Sequence, residues 1–337
     1  MKRPALDTPP AYLPFEGPVQ RLDEQLRKLH ELSRTNAMDL AEEVAQLQIR
    51  RKELLERLYA GLSPWERVQV ARHPQRPQTR DYLERMCSDF LELHGDRAFA
   101  DDRAVVTGFA RLGGERVMIV GQHKGRDVAE RSECNFGSPQ PEGYRKALWK
   151  MRLAEKYRLP ILTLIDTKGA APDVAAEERG QSQALAANLM AMSALRVPIL
   201  SVVIGEGGSG GALALGAGDR LLIQEYAYFS VISPEGCASI LWRDGEKRSE
   251  AAAALKLSAP DLLALGLVDE VVREPLGGAH RDPAAAAKLL KEALLSRLAE
   301  LERLAVDELL AARYRRLRSF GRFMQQPEAA ASTPAPP

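Results

Sequence analysis

The stretch "VVIGEGGSGGALALGAGDRLLI", Val202 to Ile223, sets five glycines within seven residues, Gly205 to Gly211, between two apolar runs. Glycine loses more backbone freedom on folding than any other residue and weakens strands and helices. So many are kept only where bare backbone is needed. Gly205, Gly207 and Gly210 spell G-x-G-x-x-G after an apparent strand, and Glu225 stands about 20 residues on, where a ribose-binding acid would sit. The dinucleotide reading fails on length. A helical segment from Ser209 to Leu215 is closed by Gly216 and Gly218 before "DRLLI" begins, whereas a crossover helix runs to about ten residues or more. No G-K-[ST] follows, which excludes a P-loop. Two uses remain: close packing of backbone on backbone, or N–H groups left open at a strand end and helix start. The second use suits a carbonyl oxygen that becomes negative during a reaction, and it is the stronger reading.

Outward from this stretch the chain repeats a theme. "PILTLID" (Pro160 to Asp166) and "VPILSVVIG" (Val197 to Gly205) are continuous apolar runs. Between them "AAEERGQSQALAANLMAMSAL" reads as a helix, and "DRLLIQ", "AYFSVIS" and a helix from Pro234 follow. Buried strands alternating with helices imply parallel strands covered on both faces. Upstream, Gly113-Gly114 joins two strand-like runs as a hairpin turn, and "PEGYRKALWKMRLAEKYRL" opens a helix at Pro141. "RDYLERMCSDFLELHGDR" is expected to be one helix stopped by Gly95, and "ARHPQRPQTR" a linker. From Val19 to Leu62 apolar residues recur with helical period, broken at "SRTNAMD", where Asn36 or Asp39 can cap a second helix. This predicts a helical hairpin, either a solvated arm or an intersubunit contact. The chain is helical again from Pro283 to about Phe320, and "QQPEAAASTPAPP" has the composition of a disordered tail. The expected organisation is an arm and linker over 1–78, a main domain over 79–320 and a tail over 321–337.

The 337 residues carry a formal net charge of +1 and are 45% hydrophobic, so charge gives no case for nucleic acid as a main partner. No apolar run is long enough for a membrane span, and the N-terminus lacks a signal-peptide apolar region. Cys87, Cys134 and Cys237 are widely separated, which argues against a zinc site or disulfide framework and fits a reducing cytoplasm. There is no H-E-x-x-H. His30 and His73 are expected to be solvated, and His94 and His280 to make structural hydrogen bonds in loops.

"LHGDR", "KGRD", "NFG", "PEGYRKA", "AEERGQ", "VIGEGGSGGAL", "YFSVISPEG", "SAPDLLALGLVDE" and "PLGGAHRD" appear in order from about residue 90 to residue 285. Together they resemble the alpha subunit of bacterial acetyl-coenzyme A carboxylase carboxyltransferase. The resemblance implies an α/β crotonase-like fold, a spiral of ββα units, preceded by the helical hairpin. It implies an α2β2 heterotetramer with a beta subunit that bears a zinc ribbon. The implied reaction moves a carboxyl group from carboxybiotin, on a biotin carboxyl carrier protein, to acetyl-CoA. The product is malonyl-CoA for fatty acid biosynthesis, and a separate biotin carboxylase consumes ATP. By the family pattern the N–H groups of Gly207 and Gly208 would hold the ureido oxyanion left on biotin. Gly210 and Gly211 would allow close approach, with Gly169 and Ala170 lining the site. Lys124 and Arg126 would face CoA phosphates or be salt-bridged.

Three departures stand out. The family's usual D-T-P-G-A-Y-P-G is "DTKGAAPD" here, with Lys168, Ala171 and Asp173 at changed positions. His123 replaces a glutamine, and "VAERSEC" is less basic than the family pattern. Lys168 is expected to pair with Asp173 or with a substrate anion. Two rival functions follow. One is a stand-alone crotonase-type hydratase or isomerase using Glu206, Glu177 or Glu178; the other is a divergent or non-catalytic paralogue.

Overall fold

The computed structural model describes residues 11–36 and 39–321. The chain begins with α1 (Gly17–Asn36) and α2 (Ala41–Ala60), then α3 (Pro64–Ala71) and α4 (Thr79–Met86). β1 (Cys87–Glu92), β2 (Val105–Leu112) and β3 (Glu115–Gln122) form an antiparallel meander. Next come α5 (Val128–Glu133), α6 (Pro141–Lys156), β4 (Ile161–Thr167), α7 (Val174–Glu178) and α8 (Gln181–Ala194). The glycine-rich region contributes β5 (Ile199–Gly208) and α9 (Ser209–Gly216), followed by β6 (Arg220–Gln224) and β7 (Tyr228–Ser230). α10 (Pro234–Trp242), α11 (Arg248–Ala254), α12 (Ala259–Ala264), β8 (Glu270–Val272), α13 (Pro283–Glu302) and α14 (Val306–Arg318) complete the fold. The proline- and alanine-rich tail lies outside the described residues.

The sheet runs β1-β2-β3-β4-β5-β6-β8, with β7 paired to the far end of β5, and is parallel from β3 onward. Side-chain alternation divides each central strand between two cores. Ile161, Ile165, Ile199 and Val203 pack with Ala147 and Met151 of α6 and Met192 of α8. Leu162, Leu164, Leu200, Val202 and Ile204 face Tyr82 of α4 and Leu290, Leu294 and Leu298 of α13. Thr163 and Ser201 interrupt the apolar pattern for a reason: both hydroxyls donate to the Leu215 carbonyl, at 2.7 and 2.8 Å, satisfying an acceptor near the end of α9. The hairpin turn forms as expected, with φ of +59° and +98° at Gly113 and Gly114.

Several expectations are corrected. The segment expected to be one helix before Gly95 changes at Cys87 into the edge strand β1, with Asp89 at φ +53° beside a register shift. The segment before the second buried strand is two helices, parted by Gly180 in the left-handed conformation. The C-terminal helical region is likewise two helices. The prolines after α3 do end the helix, but the stretch they occupy is no solvated linker. Arg76 is 3% exposed and forms a 2.5 Å ion pair with buried Glu274. His73 is buried and stacks on His280 at 3.8 Å, so it is not solvated, while His30 is exposed. The hairpin is not a free arm either. Val19, Leu55 and Tyr59 pack on Tyr226 of the main body. Neither expected residue caps the second helix: its N-cap is Leu40, with no side-chain capping bond, Asn36 ends α1, and Asp39 accepts only the Ala41 N–H at 3.2 Å.

Candidate active site

β4 and β5 lie side by side and end together, with Thr167 in register with Gly207. Beyond them the chain turns into the segment Lys168–Ala170 on one side and α9 on the other. The glycines are therefore not a loop. Gly205, Gly207 and Gly208 extend the strand, and α9 starts at Ser209, whose φ of +52° makes the sharp turn.

Four of the five glycines are bare because the chain itself occupies the space. A Cβ on Gly205 would meet the Asp166 carboxylate, one on Gly207 the Phe229 ring, one on Gly208 the Lys168 carbonyl, and one on Gly211 the Ala170 N–H. Gly210 differs. Its nearest neighbour would be Leu185 Cδ1 at 3.6 Å, an ordinary contact, so nothing in the chain requires glycine there. Gly169, opposite, has φ of +142° and open space within 4 Å. Thr167 shapes this turn. Its hydroxyl donates to the Gly137 carbonyl at 2.6 Å and accepts the Gly169 N–H at 3.0 Å. Beside these positions the first-turn amides of α9 lack intrahelical partners by construction. The result is a wall of backbone around Gly169, Ala170 and Gly210, at a helix N-terminus that favours negative charge.

Behind the wall lies an ion cluster. Lys124 Nζ bridges Asp166 and Glu206 at 2.6 Å each. Glu206 also accepts from Arg72 Nε at 2.6 Å and from the Tyr228 hydroxyl at 2.7 Å. Arg72 reaches Glu235 at 2.6 Å. Burial alone would raise the Glu206 carboxyl, but the Lys124 and Arg72 charges outweigh it and hold it at about 2. Burial likewise opposes the Lys124 charge, and the two carboxylates more than restore it.

The site residues expected from sequence are thus sorted by position. Gly169, Ala170, Gly208, Gly210 and Gly211 converge on the wall. Gly207 sits one step back, between Thr167 and Phe229 in the ladder. Lys124 takes the salt-bridged alternative. Arg126 does too, pairing with Asp81, and its backbone N–H reaches Glu130 at 2.8 Å. Lys168 lies over the Phe136 ring at 5.9 Å and does not meet Asp173, which caps α7 through the Ala176 N–H at 2.9 Å. Ser233 caps α10 and Asp282 caps α13, both structural roles. His123 is buried against Glu130 at 3.2 Å, and burial lowers its pKa. His94 makes its expected loop hydrogen bond, 3.0 Å to Asp101, but neither ring nitrogen of His280 has a partner among the described residues. Arg72 and Tyr228 were not singled out from sequence. The available signal was Glu206 itself, a carboxylate inside an apolar strand that demands compensation.

This cluster takes away the hydratase reading's most central carboxylate. Glu206, the candidate nearest the wall, is held as a carboxylate and engaged by Lys124, Arg72 and Tyr228, while Glu177 and Glu178 are exposed on α7.

Comparison with known proteins agrees with the geometry. The model of the family described as acetyl co-enzyme A carboxylase carboxyltransferase-like matches residues 12–321. The acetyl-coenzyme A carboxylase carboxyl transferase subunit alpha of Bordetella pertussis is 53% identical over 314 residues, covering 93% of this chain and 98% of the relative. Its counterpart from Hydrogenovibrio crunogenus is 54% identical over 312 residues, with 93% and 98% covered. Among solved structures, transcarboxylase 12S with methylmalonyl-coenzyme A and methylmalonic acid bound has a TM-score of 0.50 and 25% identity, over 63% of this chain. This chain spans only 41% of that one. A Pseudomonas malonate decarboxylase hetero-tetramer in complex with coenzyme A, with TM-score 0.53 and 19% identity over 64% of this chain and 87% of that one, shares the fold. The architecture is the crotonase-like α/β fold of carboxyltransferases, and the subunit acts within a multi-subunit transferase. By the family match over residues 12–321 and by relatives more than half identical over nearly their whole length, the chain belongs to the family of acetyl-coenzyme A carboxylase carboxyltransferase alpha subunits.

Proposed function

We propose that this subunit carries the biotin-side half of a carboxyl transfer, from carboxybiotin on a biotin carboxyl carrier protein to acetyl-CoA. The product is malonyl-CoA for fatty acid biosynthesis. The observation that carries the reading is Gly210, bare although its own chain leaves room for a side chain, with Leu185 Cδ1 at an ordinary 3.6 Å from where a Cβ would lie. A planar ureido ring approaching backbone fits such a wall; a group needing side-chain ligands does not. When bound, carboxybiotin supplies the carboxyl group and its ureido nitrogen can accept the proton from the acetyl-CoA methyl. This chain's part is to hold the developing ureido oxyanion with amides at the β5–α9 junction, from Gly208 to Gly210, beside the Gly169–Ala170 turn, with Gly207 fixing the strand end behind them. Preorganised N–H donors are worth more toward a developing charge than toward the neutral ground state.

The second developing charge, on the thioester enolate, needs its own donors, which the carboxyltransferase beta subunit would supply. A ready surface for such a partner is α10, where Ile240 and Leu241 are 71% and 62% exposed beside half-exposed Trp242. Biotin carboxylase would act upstream on the carrier. The deciding experiment measures malonyl-CoA from acetyl-CoA and carboxylated carrier with this chain, with the beta subunit, and with both. Product only from the pair is expected. Equal product from the beta subunit alone would overturn the assignment.

A further inference from the structure

The charge cluster behind the wall is larger than a fold needs at one strand end. Asp166 and Glu206 are the residues just before the two segments that build the wall. Both are buried, at 4% and 7% exposure, and Asp166 accepts the Glu206 N–H at 2.9 Å. Two carboxylates this close repel unless a cation lies between them. Lys124 fills that place, 2.6 Å from each. Its route is fixed. A Cβ at Gly137, where φ is +77°, would fall on the Lys124 stem, and the Lys124 N–H donates to Gln78 at 3.2 Å. Gly137 in turn accepts the hydroxyl of Thr167, the first residue of the wall's turn.

We propose that Lys124 is a positioning residue. Its ammonium neutralises Asp166 and Glu206 together, and so holds the ends of β4 and β5 in the register that sets the distance between the Gly169–Ala170 turn and the Gly208–Gly210 amides. It does not bind substrate. The proposal rests on the wall being the reacting site. The other charged and titratable groups facing the pair are Arg72, Tyr228 and Glu235 around Glu206, and Arg76 and Tyr82 on the Asp166 side. Without Lys124, Arg72 and Arg76 remain, but each is already engaged by Glu235 or Glu274. One carboxylate of the pair must then take a proton or push the strand ends apart. Extra negative charge directly behind an oxyanion site also opposes the transition state more than the ground state.

The test uses Lys124→Met and Lys124→Arg, assembled with the beta subunit and carboxylated carrier, with turnover measured between about pH 6 and 8.5. Thermal unfolding of each chain is followed over the same range. For Lys124→Met, kcat at the alkaline end should fall about 10-fold or more, with the Michaelis constant for acetyl-CoA held within about twofold. Its kcat relative to wild type should recover as pH falls, because a shared proton replaces the missing charge. The unfolding deficit should shrink in the same direction. In this variant the folded carboxylate binds its proton more tightly than the unfolded one, so lowering the pH favours the folded state. Lys124→Arg, which keeps the charge, should recover part of the rate at all pH values. A rate and stability deficit that is the same at every pH would overturn the proposal. So would a deficit confined to the Michaelis constant, which would mean direct substrate contact. If Lys124→Met fails to fold at alkaline pH, folding on acidification supports the proposal and its absence refutes it. If the wild-type assembly makes no malonyl-CoA, the carboxyltransfer reading has failed, and the pH dependence of unfolding still decides the role of Lys124.

Discussion

At the scale of single residues, the glycine cluster holds two kinds of glycine that the sequence cannot tell apart. Gly208 is bare for its own chain: a methyl there would strike the Lys168 carbonyl, which is backbone and cannot swing away. Gly208→Ala should lower stability by about 1–3 kcal/mol, the range for overpacking, and should shift the turn and lower turnover with it. Gly210 lies in α9 with ordinary room for a methyl. Gly210→Ala should leave stability unchanged or raise it by up to about 1 kcal/mol, since alanine is the better helix residue, while turnover in the assembled enzyme falls. Thermal melts and turnover of both variants test this together. A Gly210→Ala enzyme with full turnover would show that no substrate approaches that face. The sequence did announce that backbone must be bare over Gly205–Gly211. It could not say which glycine serves a ligand, because that depends on what lies across from each Cβ position. Nor could it say that Lys124 is committed to Asp166 and Glu206, from strands more than 40 residues later.

At the scale of elements, the legible parts were those whose pattern is local and strong. β4 and β5 announce themselves as continuous apolar runs, and α6 by its proline start and helical spacing. The change at Cys87 was not legible, because "CSDFLE" has no strict alternation and becomes a strand only by pairing with β2. The same holds for α14, whose placement depends on one buried arginine. Arg313 is 0% exposed. It donates to both oxygens of Asp219 at 2.8 and 2.7 Å, and to the carbonyls of Met192, Leu195 and Val197 at 2.6 to 2.8 Å. It therefore clamps the end of α8 and the approach to β5 from outside. Removing one partner of such a pair leaves a buried charge uncompensated, and Arg313→Met should cost about 3–5 kcal/mol. The denaturant midpoint reads this directly. A change below about 1 kcal/mol, the scale of an exposed pair, would mean that α14 is held by its apolar contacts alone.

At the scale of the whole molecule, the stretch after α3 and the loop before α13 meet at a stacked histidine pair, and this makes stability depend on pH. His73 Nε2 lies 3.0 Å from the Ala11 carbonyl, and the Gln75 N–H donates to Nδ1 at 3.1 Å. That network assigns the neutral tautomer with its proton on Nε2, so a second proton on Nδ1 would face another N–H. Burial, opposed only in part by the Ala11 contact, lowers the His73 pKa. Burial, His73 and the neighbouring Arg281 bring His280 down to about 2. Both folded values lie below the unfolded value near 6.5, so this contribution is intact above about pH 6.5 and is lost as pH falls toward the folded values. Stability should drop below that point by up to about 1.4 kcal/mol per pH unit for each histidine. His280→Phe, which keeps a ring on His73, should flatten the slope; an unchanged slope would place the acid sensitivity elsewhere.

Assembly is the other property of the whole molecule. The leucine stripe of the hairpin suggests an intersubunit arm; Val19, Leu55 and Tyr59 are spent within the chain against Tyr226, while Leu32 and Ile49 on the same hairpin stay 46% and 59% exposed. A second apolar surface lies on α10 and the turn before it, where Ile240, Leu241 and Val231 are 71%, 62% and 76% exposed. That helix follows β7, which pairs with the Glu206–Gly208 end of β5. A partner seated there would lie next to the wall, where a second set of donors is required. Replacing both Ile240 and Leu241 by Asp should therefore abolish assembly with the beta subunit. The chain's own melting should hardly change, since substitutions at exposed sites usually stay within about 0.5 kcal/mol. Light scattering of the mixed subunits measures the first and thermal unfolding of the isolated chain the second. An assembly of unchanged mass would exclude α10 from the interface. A large loss in the isolated chain's stability would show instead that these side chains are cohesive within the subunit.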